Sequence, residues 1–197
     1  MEFDAFSQGV EPGGLRNRSE IGILICYILD NIDEPFLKDD LVEIIQDNGF
    51  ANYFETANSL SELIRNGNIR WTDEAGTLLE LTPNGRLIST QLHTALSLSL
   101  RQKAVAAAAR LQQVRRIEHE NPVTISKAEG GGSQVTLRIT DGIRDLMALT
   151  FFVPDISEAN AVKRNFHKNP ERLYSIMLAA VIGEKSMIQT ALEELKA

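Results

Sequence analysis

Glu55, Asn58, Ser59, Glu62 and Arg65 recur at helical spacing within NYFETANSLSELIRN, which puts them on one side of a helix. That set has the chemistry to read nucleobase edges. An Asn amide offers a donor and an acceptor to adenine, an Arg fork offers two donors to guanine, and a Glu accepts from the cytosine amine. Asn58 and Arg65 are therefore the candidate base readers, with Ser59 and Glu62 beside them, and Arg70 and Arg86 further along are candidate phosphate partners. The surrounding charge is unfavourable to DNA. Residues 1–95 carry 16 acidic and 6 basic side chains, whereas residues 96–197 carry 11 and 14. The half with the reading set is the half that a polyanion repels.

Other chemistry finds no pattern in the sequence. GGGS at 130–133 lacks the Gly-Lys-Ser/Thr ending of a phosphate loop and precedes a strand pattern rather than a helix, so it reads as a hairpin turn. His93, His119 and His167 lie far apart without a second ligand at helical spacing, and Cys26 sits inside the apolar run IGILICYIL. The single cysteine allows no intramolecular disulfide. No nucleophile-elbow pattern occurs, and the adjacent Asp39 and Asp40 point different ways on a helix. No catalytic residue, metal ligand or cofactor is expected, and the chain is read as a non-enzyme.

The elements that must position the reading set follow from period and caps. The acidic start MEFDAFSQGVEPGG has neither the basic nor the apolar region of a secretory signal, and no apolar run approaches the ~20 residues of a membrane span. A cytoplasmic protein without a membrane segment is expected. Ser19 caps a helix carrying Ile21, Leu24, Ile25, Ile28 and Leu29, which stops near DNIDEP. A second helix, Leu37 to Gln46, turns Leu41, Ile44 and Ile45 inward and Lys38, Asp39, Glu43 and Asp47 outward. After the turn DNGF, a third runs from Asn52 to Asn66, with Tyr53, Ala57, Leu60, Leu63 and Ile64 opposite the polar set, and Gly67 ends it. The strands NIRW and TLLEL form a hairpin across TDEAG, and Thr82 with Pro83 starts a fourth helix.

Three helices, a hairpin and a closing helix in that order make a winged helix-turn-helix. ANYFETANSLSELIRNGNIRW together with LTPNGR resembles an uncharacterised bacterial winged-helix family, a domain of unknown function whose expected role is transcriptional regulation. The resemblance covers most of the chain, its sharp part being residues 21–86. It implies DNA-linked regulation. At the wing tip this sequence carries Asp73 and Glu74 where Lys or Arg is usual.

From Leu96 to Glu120 a fifth helix is expected, with Arg101, Lys103, Arg110, Arg115 and Arg116 and no acid before Glu118. Leu100, Ala104, Ala107, Leu111 and Val114 alternate four and three apart, a seam of about two heptads suited to a homodimer or to packing on the C-terminal domain. Beyond it, VTISKAE and QVTLRIT form a hairpin, and LMALTFFV, apolar on both faces, is expected as the central strand. Ser157 caps a helix to His167, Asn169 with Pro170 opens another ended by Gly183, and EKSMIQTALEELK is a last helix. The expected architecture is α+β: an acidic tail at 1–15, the winged domain at 16–95, a connecting helix at 96–120 and an α+β domain at 121–197.

Two functions compete. One is a homodimeric regulator that binds DNA, weakly wherever phosphate contacts alone are made. The other is a winged-helix module that docks a basic protein partner instead, since fold alone decides no function. Either accommodates a small-molecule effector between the C-terminal sheet and helices, with Phe151, Phe152 and Tyr174 as lining.

Overall fold

The computed structural model of the chain describes residues 14–15, 17–32, 34–183 and 185–194. Among them are eight α-helices and two three-stranded antiparallel sheets, an α+β fold. The chain divides into two compact units, Met1–Gln112 and Gln113–Ala197, and the division falls inside the long fifth helix rather than at either of its ends. Most of the expected acidic tail lies outside the described residues. Leu15, however, is buried, and its amide donates to the Phe50 carbonyl at 2.7 Å, so it belongs to the first unit.

The first unit is built around α1 (Arg18–Asp30). Ile21, Leu24, Ile25, Cys26 and Ile28 have no exposed surface, and a helix apolar on every side has to be enclosed by its neighbours. Each such Ile or Leu contributes roughly 1.5–3 kcal/mol of burial. Its cap is Asn17, whose side chain accepts from the Ser19 amide; the expected cap Ser19 is the second residue of the helix. Then come β1 (Phe36–Leu37) and α2 (Lys38–Asp47), which buries Leu41, Ile44 and Ile45 and exposes Lys38, Asp39, Glu43 and Asp47 as the period requires. Asn52 caps α3 (Tyr53–Arg65), accepting from the Glu55 amide at 2.9 Å. Strands β2 (Ile69–Trp71) and β3 (Leu78–Leu81) form the expected hairpin, and β1 joins its far edge to give the order β1-β3-β2.

Thr82 and Pro83 start α4 (Pro83–Leu92), followed by a 3-10 turn at His93–Ala95 and by α5 (Leu98–Glu120). Gly85 lets α4 approach the hairpin. A Cβ there would lie 2.2 Å from the Asn68 carbonyl oxygen, so no side chain fits without moving backbone. The Thr82 hydroxyl donates to the Gly67 carbonyl at 2.8 Å and ties the same corner.

In the second unit β4 (Val123–Lys127), β5 (Ser133–Thr140) and β6 (Asp145–Val153) form a meander with β5 in the middle. The expected central strand, LMALTFFV, is instead an edge. The reason is connectivity: the turns at 128–132 and 141–144 are both short, so each strand pairs with its sequence neighbour and the middle one becomes central whatever its composition. Gly130, Gly131 and Gly132 all have positive φ, which explains the GGGS tract as a hairpin turn. At the second turn, the Asp141 carboxylate accepts from the amides of Ile143 and Arg144, which hold it below the usual carboxylate range. Val135, Leu137 and Ile139 face inward from β5 onto α6 (Ile156–Lys168), capped by Asp155 rather than by Ser157, and α7 (Pro170–Ile182), capped by Asn169 and closed by Gly183. The last helix, α8, is Lys185–Glu194. No helix among the described residues is long and apolar enough to cross a membrane.

Candidate functional site

The surface of α3 divides differently from its polarity pattern. Asn58, Glu62 and Arg65 are exposed, as a reading face needs. Ser59 is only 3 % exposed and Glu55 only 6 %. The expected inward residue Tyr53 is exposed, and Phe54 is 73 % exposed, its ring edge-on to Tyr53 at 5.6 Å. The helix is turned so that Asn52, Glu55, Thr56 and Ser59 meet the rest of the unit, because α1 supplies polar partners there. Arg18 donates to both Glu55 oxygens, and the Ser59 hydroxyl donates to the Arg18 carbonyl at 3.3 Å. Glu55 and Ser59 thus serve the α1–α3 junction and are withdrawn from the candidate reading face.

The candidate phosphate partners are each engaged by a carboxylate. Arg70 and Glu80, opposite one another on β2 and β3, are joined by Nε and Nη2 to the same oxygen at 2.8 and 2.6 Å. Arg86 lies 3.1 Å from Asp30 at the C-terminus of α1, and Arg65 lies 3.9 Å from Glu62 one turn earlier. All three arginines remain largely exposed. Exposed pairs of this kind are worth on the order of 0–1 kcal/mol, so a phosphate can displace the carboxylate, but each exchange leaves an acid unpaired near the ligand. At the hairpin tip Asp73 accepts from the Thr77 hydroxyl and from the amides of Leu78 and Thr77. These bonds hold its carboxyl below the usual range, so the tip is anionic at neutral pH.

The candidate dimer seam is split between core and surface. Leu100 and Ala104 are buried in the core of the first unit, with Ala108 completing the stripe; Ala107 and Leu111 are half-buried against that core, and Val114 is exposed. The side of α5 that carries Leu100, Ala104 and Ala108 is thus the one that its own unit uses. Arg101 is likewise drawn in: its guanidinium lies over the Tyr27 ring at 5.7 Å, and His93 stacks on the same ring at 5.9 Å.

The second unit holds an open apolar groove of about 680 Å³ between the inner face of β5 and β6 and the helices α6 and α7. Leu137, Leu149, Phe151, Val162, Phe166 and Leu173 form its walls, and Glu158, Lys168 and Arg172 stand on its rim. Of the three aromatics expected as lining, Phe151 does line the groove. Phe152 is on the opposite face of β6, 61 % exposed, and Tyr174 packs at the edge of the cluster without lining it. Strand alternation places Phe151 and Phe152 on opposite sides. Near the start of this unit His167 Nε2 donates to the Asn121 carbonyl at 2.8 Å. Among the described residues no three His, Cys, Asp or Glu side chains gather to hold a metal ion.

No local pattern in the sequence marks the Arg18–Glu55 junction or the rim pair Lys168 and Arg172. Arg18 lies 37 positions from its partner, beyond any helical or strand period. The pair at 168 and 172 spans a helix break, Asn169-Pro170, which hides its four-residue spacing from a search along single helices.

Residues 21–181 match the family described as a domain of unknown function (DUF4364), and the chain belongs to that family. No curated protein and no solved structure matches it.

Proposed function

We propose, for a chain whose family assigns it no activity, that residues 16–95 are a winged helix-turn-helix and that the protein is a transcriptional regulator binding DNA as a homodimer through α3. The order α1-β1-α2-α3-β2-β3, with a short turn joining α2 to α3 and β1 completing the hairpin's sheet, supports the winged reading. The observation that carries the function is the outer face of α3: Asn58, Glu62 and Arg65 are exposed together on a helix whose other side is fixed by the core. Asn58 would pair with adenine and Arg65 with guanine, with Arg70 and Arg86 exchanging their carboxylates for phosphate. Self-association is proposed through the exposed side of α5, which carries Ala106, Ala109 and Val114.

The test is fluorescence anisotropy with upstream DNA from the protein's own locus, at low and moderate salt. Specific binding with a shallow salt dependence is the expected result, since few phosphates are neutralised. Arg65→Ala or Asn58→Ala should cost on the order of 1–3 kcal/mol. An Arg65→Ala protein that binds like the wild type would remove α3 as the reader. Sedimentation of Val114→Glu beside the wild type tests the dimer.

A second reading, an acidic docking module for a basic protein partner, is favoured by one observation. Arg18, Arg65, Arg70 and Arg86 each have a carboxylate within 4.0 Å, and Asp73 adds a fixed negative charge at the wing tip. Absence of DNA binding even at low salt would reject the regulator and leave the docking module as the reading that the charge supports.

A further inference from the structure

We propose that the groove between the β5–β6 face and helices α6 and α7 is a binding site for an apolar monocarboxylate, its chain on the walls and its carboxylate at Lys168 and Arg172. The groove lies wholly inside the second unit, so it stands whether or not α3 reads DNA. Its volume of about 680 Å³ falls within the range of roughly 300–1,000 Å³ typical of small-molecule sites. Its composition has the usual form as well, apolar walls with a few polar groups on the rim.

The charge on the rim is what selects the ligand. Glu158 stands in the first turn of α6 and Lys168 is its last residue, ten positions and therefore ~15 Å further along the axis. Arg172 follows in the first turn of α7, on the far side of the Asn169-Pro170 corner. The acid is thus at one end and both cations at the other. Asn165 and Asn169 line the same end; Asn165 already accepts from Lys168 Nζ at 3.1 Å, which holds the ammonium at the rim. An apolar molecule with an anionic head satisfies this polarity in one orientation. A neutral alcohol of the same length gains the walls and not the cations, and a long-chain amine finds an opposite charge only in the reverse orientation, at the single carboxylate of Glu158.

Decanoate, decanol and decylamine, titrated into the full-length protein and followed by amide NMR shifts, separate the alternatives. The expected result is saturable shifts at Ala161, Val162 and Leu173, with decanoate about tenfold tighter than decanol, the gain of a charge-assisted hydrogen bond. In a Lys168→Ala/Arg172→Ala variant that advantage should vanish while decanol affinity is unchanged. These two positions are on the rim, so the variant should fold, and its unperturbed spectrum away from the groove checks this. Equal affinity for decanoate and decanol, or shifts that map elsewhere, would overturn the assignment. So would decanoate binding that weakens as the protein is concentrated, because a second copy of the chain would then be the occupant.

Discussion

Arg18 Nε donates to Glu55 Oε2 at 2.6 Å, and Nη2 reaches Oε1 at 3.4 Å, closing the first residue of α1 onto the first turn of α3. The bond to Arg18 and its charge outweigh the cost of burying Glu55, so its carboxyl titrates below the usual glutamate value of 4.5. A depressed folded-state value means that the pair's contribution is complete above 4.5 and is lost as pH falls through the lower, folded value. Urea unfolding of wild type and Glu55→Gln from neutral pH down through the carboxylate range should show a stability gap that closes only in acid. A gap independent of pH would mean that the charge on Glu55 contributes nothing.

Two glycines should respond oppositely to alanine. At Gly22, inside α1, a Cβ would lie 3.9 Å from the Leu63 side chain, an ordinary contact, so Gly22→Ala should stabilise the protein by about 0.5–1 kcal/mol through helix propensity. At Gly85 the same change drives a methyl into the Asn68 carbonyl and should cost at least about 1–3 kcal/mol. Chemical denaturation of both variants measures this; a neutral Gly85→Ala would mean that α4 does not approach the hairpin so closely.

Cys26 is fully buried, and burial, helped by Asp30, pushes its thiol up to about 12. Only the thiolate reacts with alkylating agents, so the native protein should resist iodoacetamide at mildly alkaline pH and label promptly in urea. Labelling of the folded chain at the rate of a free thiol would contradict the packing around α1.

Hydrogen exchange in the second sheet should be slowest on β5, which pairs on both sides, and faster on the outward amides of β6. Equal protection along both strands would indicate that another chain covers the β6 edge.

How far these elements could be read beforehand depended on how local their signals are. Thr82-Pro83, Asn169-Pro170 and Gly183 mark helix ends through side chains that act within one turn, and those ends are where the sequence puts them. Asn17 against Ser19 and Asp155 against Ser157 are ambiguous, because either residue of each pair can cap and the packing of the following face decides. The run AVAAAAR in α5 leaves its phase open: Ala107 and Ala108 differ by ~100° around the axis, and the core selects Ala108. Glu55 and Ser59 look like surface residues for want of any local sign of Arg18. In the candidate groove, the apolar run of β6 announces a covered strand but not which of its faces is covered, so Phe151 and Phe152 could not be told apart.

The two sheets differ in how far apart in the chain their partners lie. Every pairing in the second joins strands adjacent in the chain, whereas in the first Phe36 of β1 faces Leu79 of β3 across α2, α3 and β2. Closing that longer loop costs more entropy before any contact repays it. During synthesis α1 therefore emerges with Ile21, Leu24, Ile25 and Ile28 uncovered and must wait for β3 and α4 before they can be enclosed. The meander of the second unit needs only its own short turns and can assemble as soon as β6 has left the ribosome, so the first-made half carries the greater exposure to misassembly.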